Sequence, residues 1–71
     1  MSNFEKQFLR MIVDSRIRLE EWEAEQNDVM VDVAWKEWNR LYTLLRETGD
    51  RRMFDKYADA LYAKREELET A

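Results

Sequence analysis

Few side chains in this sequence could do acid–base or covalent chemistry, and their spacing decides against it. Glu20-Glu21 and Glu66-Glu67 are adjacent carboxylate pairs. General acid–base work needs two carboxyls converging on one reacting atom, and neighbours on a helix point to different faces. Ser2 and Ser15 have no histidine to activate them, because the chain has none, and no local Ser–Lys motif replaces it. There is no cysteine, so thiolate chemistry, disulfides and zinc sites are all absent from the sequence. The single glycine, Gly49, rules out a glycine-rich loop that could cradle phosphates. No D-x-D-x-D-G run arranges carboxylates for calcium or magnesium. Arg51-Arg52, with Lys56, could hold a phosphate where a helix begins. Asp50 and Asp55 stand beside them, so the expectation is local charge balance or a salt bridge to the acidic stretch between Arg18 and Lys36. The sequence therefore predicts no catalytic residue, no cofactor and no metal: a binding protein, not an enzyme.

Without catalytic groups the surface must do the work, and composition limits what that surface can meet. Sixteen acids against twelve bases leave a net charge of −4. A direct nucleic-acid binder needs a basic stripe to displace counterions from phosphates, so none is expected. No apolar run approaches the roughly 20 residues that span a bilayer. The opening Met1-Ser2-Asn3-Phe4-Glu5 lacks a basic segment followed by an apolar one. The expectation is a soluble cytoplasmic protein with no membrane contact. With 71 residues, one helical domain over 1–71 is expected. Chains this short bury only about 60% of their unfolded surface. Disulfide and zinc staples are missing, so stability must come from dense apolar packing or from self-association.

The elements that would carry such a surface are helical. Ser2 followed by Glu5 has capping-box spacing. Beyond it Phe4, Phe8, Met11, Ile12, Ser15, Leu19 and Trp22 recur at steps of three and four, which predicts a helix over about 3–26 with that face inward. Asn27-Asp28 marks a break and offers a cap for a second helix over 29–47. Val31, Ala34, Trp35, Trp38, Leu41, Tyr42 and Leu45 form its apolar face. The main apolar face rotates by roughly 135° between the two segments at 100° per residue, which favours a turn. An alternative keeps one helix from 3 to 47, because Leu9, Val13, Ile17 and Ala24 run in phase with Val31, Trp35 and Trp38. Gly49 fits the left-handed position after a helix, and Asp50 can cap a third one over 51–68 with Phe54, Tyr57, Ala58, Leu61 and Leu68 on one face. The fold class is all-α: a small bundle of three amphipathic helices, which dimerisation could complete.

Two groups of residues stand out as binding candidates. Glu20, Glu21, Glu23, Glu25, Asp28 and Asp32 lie between Arg18 and Lys36 with no base among them. Four of them approach a helix C-terminus, where the macrodipole disfavours negative charge by about 0.3–1 kcal/mol each. Such a stretch is complementary to a basic surface, although an ordinary solvated helix end would read the same way. Trp35, Trp38 and Tyr42, with the second stripe Leu9, Val13 and Ile17, are the candidate apolar anchors. Tryptophan and tyrosine dominate strong interfaces, and they also fill small cores. The second stripe exceeds what an edge helix needs, so either its helix is central or a second chain covers it. The leading expectation is a protein-binding module, an inhibitor or adaptor of the phage or mobile-element kind, that occupies a surface of a larger intracellular protein. The alternatives are an acidic nucleic-acid mimic that blocks a basic channel in a nuclease or nucleoprotein, and a structural subunit of a homo-oligomer such as a homodimer.

Overall fold

The computed structural model describes residues 2–70 as three helices, α1 (Asn3–Ala24), α2 (Asp28–Thr48) and α3 (Arg51–Thr70), with no strand among them. Each boundary has a local cause. The Ser2 hydroxyl accepts the Glu5 amide at 3.2 Å while the Glu5 carboxylate accepts the Ser2 amide at 3.4 Å, which closes the expected capping box. The Asn27 side chain accepts the Met30 amide at 3.2 Å and starts α2. Gly49 ends α2 with φ 64°, and Asp50 accepts the Arg52 amide at 3.0 Å to start α3. The termini differ slightly from expectation: α1 stops two residues sooner than 26, while α2 and α3 run on to Thr48 and Thr70.

A single helix over 3–47 is excluded by the turn after Ala24. Gln26 adopts φ 57°. Its amide bonds to the Glu23 carbonyl at 3.1 Å, and the Asn27 amide reaches back to Trp22 at 3.2 Å. These are the two bonds of a Schellman ending, which satisfies carbonyls the helix would otherwise leave open. The left-handed residue here is a glutamine, at a cost of roughly 1 kcal/mol relative to glycine.

The chain runs up, down and up, so α1 and α3 both end beside the start of α2. α1 packs on both other helices, while α2 and α3 make few close backbone approaches to each other. The bundle is flat, 35 × 28 × 18 Å. This central position answers the question of the surplus stripe. Ile12, Ser15 and Leu19 are buried, and Leu9, Val13 and Ile17 are buried as well. Leu41 and Leu45 from α2, and Met53, Tyr57 and Leu61 from α3, complete one core. Ser15 sits in it without loss, since its hydroxyl donates to the Ile12 carbonyl at 2.8 Å.

The expected inward face of α1 needs correction at Phe4 and Met11. Phe4 is 77% exposed and Met11 55%. Met11 lies over a groove shared with Val33 and Leu41 of α2, and Phe4 stands at a cleft that Leu44 of α2 and Met53 of α3 also line. On α3, Ala58 and Leu68 are exposed, and Met53 takes a core place that the expected face omitted.

Candidate protein-binding surfaces

Three of the expected apolar anchors are unavailable to a partner. Leu9, Val13 and Ile17 are each under a tenth exposed and belong to the core, because α1 is covered from two sides. Trp38 and Tyr42 are half-buried and pack against that core. They fill the wedge between α2 and α3, where the backbones stay apart and large rings bridge the gap. Trp38 stacks on Tyr42 with centroids 4.8 Å apart, and Tyr42 meets the edge of Phe54 at 5.7 Å. The Trp38 indole N–H donates to the Tyr57 hydroxyl at 3.0 Å. Burial pushes that phenol up from its ordinary value. Of the proposed anchors Trp35 is the most open, 47% exposed.

One acid of the expected acidic surface has a structural task. Glu20 accepts from Arg65 Nε at 3.0 Å and from Arg65 Nη2, and also from Arg16 Nε at 3.1 Å. Arg16 in turn lies over the Trp38 ring, 4.8 Å from its centre. Glu20 thus ties α3 to α1, and the Arg65 hydrogen bonds hold its carboxyl below the ordinary glutamate range. Asp32 pairs with Lys36 one turn on, at 3.1 Å, in full view of solvent. Glu21, Glu23, Glu25 and Asp28 are exposed and make no ion pair among the described residues.

The fold adds to this surface what the sequence stretch alone did not contain. Because α3 rises beside α1, its Glu66, Glu67 and Glu69 arrive at the same end of the bundle. The half made of residues 14–37 and 61–70 carries eleven acids and five bases, against five acids and seven bases in the other half. Both α1 and α3 end in the acidic half with no basic residue in the last turn, so two helix C-termini add their partial negative charge to it. The start of α2 lies there too and offsets part of that dipole. Arg51 and Arg52 stand at the opposite end, so the expected salt bridge from them to the acidic stretch does not form; Arg16 and Arg65 supply the partners instead.

Two apolar clefts also escaped the sequence reading. One, of about 370 Å³, lies at the basic end between Phe4, Phe8, Leu44, Leu45 and Met53. A second groove, between α1 and α2, is lined by Met11, Val33, Lys36, Glu37, Arg40 and Leu41. The signal was present in part, since Val33 and Leu44 are apolar residues off the inward face of α2. Among the described residues no group of three or more histidine, cysteine, aspartate or glutamate side chains is placed to hold a metal ion. No helix is long and apolar enough to cross a membrane.

Comparison with protein-family models, with characterised proteins and with solved structures gives no match. The class rests on the fold alone: a three-helix, all-α bundle with one strongly acidic end.

Proposed function

We propose that this chain is a small non-catalytic module that binds a larger protein through the acidic end of its bundle, and that the target surface is a basic, nucleic-acid-binding one. The observation that carries the reading is the convergence of acids from all three helices on one end, together with two helix C-termini. Glu21, Glu23, Glu25 and Asp28 need no desolvated partner inside the molecule and can meet lysines or arginines outside it. Charges so placed speed encounter and select partners more than they deepen affinity. A phosphate backbone offers a target protein the same sign of charge, so the module acts as a competitor for a nuclease or nucleoprotein channel. The place of action in this reading is the cytoplasm, and the role that of an inhibitor of the kind mobile elements encode.

The test is capture of partners from a bacterial lysate on the tagged chain, with washes of rising salt. A nucleic-acid-binding partner should elute early, since exposed charges lose most of their reach beyond about 8 Å at physiological ionic strength. The pair Glu21→Lys and Glu25→Lys should lose it altogether. Retention through high salt and through both reversals would overturn the reading.

A second reading is favoured by Trp35, a large ring left 47% exposed in a small protein. Here the module is an adaptor or inhibitor anchored by apolar contact. Its complex should withstand salt and fail with Trp35→Ala, which leaves the core intact.

A further inference from the structure

The outer face of α2 carries Val33, Glu37, Arg40 and Leu44 at steps of four, three and four residues, so they form one stripe. Val33 is 52% exposed and Leu44 48%, and both the Glu37 and Arg40 side chains reach solvent. Met11 of α1 lines the same groove as Val33, Glu37 and Arg40. Arg40 makes no ion pair among the described residues, while Glu37 accepts from Arg18 at 2.8 Å and keeps lone pairs open for a second donor.

The order of the stripe is apolar, acid, base, apolar, and it reads as its own complement in reverse. We infer that a second copy of this chain covers this face, with α2 packed antiparallel on α2 about a two-fold axis between residues 38 and 39. Val33 then faces Leu44 of the other copy, and Glu37 faces its Arg40. Symmetry repeats each of these contacts, as an isologous interface requires. Glu37 sits between Arg18 of its own chain and Arg40 of the other, and the unpaired guanidinium gains its carboxylate. Charge at the scale of the bundle agrees with the same geometry. An antiparallel pair sets the acidic half of one copy beside the basic half of the other, whereas a parallel pair would set the two acidic halves side by side. Exposed Met11, Val33 and Leu44 are covered in the process, and burial of such apolar surface is the usual driving force of association.

The stripe shares Val33 and Glu37 with the acidic half but uses none of Glu21, Glu23, Glu25 and Asp28 proposed to meet a larger protein, and dimerisation is measured with no such protein present. Light scattering coupled to size exclusion, and sedimentation at several concentrations, should find a dimer of the full chain. Arg40→Glu sets like charges against each other twice and should raise the dissociation constant at least about tenfold. Glu37→Arg should do the same. The double variant Glu37→Arg with Arg40→Glu restores the complementarity and should restore the dimer. Circular dichroism of each variant confirms that these exposed substitutions leave the helices formed. A wild-type monomer at every concentration would overturn the inference, as would a dimer indifferent to the single reversals or one that the double variant fails to rescue.

Discussion

α1 and α2 meet along a continuous aliphatic seam, while α3 is seated by rings and by one carboxylate. Ile12 and Leu19 of α1 are shut from solvent with Leu45 of α2. α3 is held by its own Met53, Tyr57 and Leu61, by the wedge of Trp38 and Tyr42, and by the Glu20–Arg65 bridge. The seam depends on area removed from water, with no titrating group and no charge for salt to screen. The seat of α3 depends more on geometry: a stacked pair, an indole donor, and a carboxylate shared by two guanidinium groups. Local opening should therefore begin with α3, since free energies of opening differ across a structure and are lowest where buried apolar contact is least.

The largest test of this contrast is Leu45→Ala, which removes a side chain with no solvent exposure from the seam. It should lower stability by about 3 kcal/mol in urea unfolding, with all three helices lost together. Trp38→Phe strikes the seat instead, removing the donor to Tyr57 and the broader ring beneath Arg16. A loss of about 1.5 kcal/mol is expected, with hydrogen exchange rising in α3 and unchanged in the middle of α1. Equal acceleration in all three helices would erase the distinction. Gly49→Ala acts on the reversal into α3. Beyond its chain neighbours no atom lies within 4 Å of an added Cβ, so the cost is conformational alone, about 1 kcal/mol for an alanine held at φ 64°.

The smallest effect belongs to Glu20→Gln, because the bridge is partly exposed and such pairs contribute little. Its value lies in the pH dependence. A carboxyl held below its ordinary range stabilises the fold at neutral pH, and that contribution is lost as pH falls through its folded-state value. Wild type should therefore lose stability on acidification more steeply than Glu20→Gln, as followed by thermal melts between neutral and acid pH. Parallel curves would remove Glu20 from the seat of α3.

How much of this was legible in the sequence follows from the range of each interaction. Ser2 with Glu5, Asn27, Gly49 and Asp50 act on amides two or three residues away or on their own backbone, and each marks its helix end as expected. The inward face of α1 was not legible in the same way. Both of its stripes are apolar, and only the arrival of α3 decides that Leu9, Val13 and Ile17 are covered while Phe4 and Met11 are left out. Gln26 gives no sign of its left-handed backbone, because the bonds that hold it come from Glu23 and Trp22 and not from its own side chain. Glu20 and Arg65 are 45 residues apart, and no periodicity connects them. The acidic surface was half legible: the run from Glu20 to Asp32 is contiguous in sequence, whereas Glu66, Glu67 and Glu69 join it through topology.

The separation of charge along the bundle also gives the molecule a direction. Six net negative charges in one half and two net positive charges in the other make an electric dipole along the 35 Å axis. In the field of a basic body this dipole experiences a torque before any atoms touch, so the molecule turns acidic end foremost as it drifts in. Histidine is the side chain that ordinarily changes charge between about pH 5 and 8, and the chain has none. The direction of the dipole is thus constant across that interval. Ionic strength alone sets how far away a partner begins to rotate it.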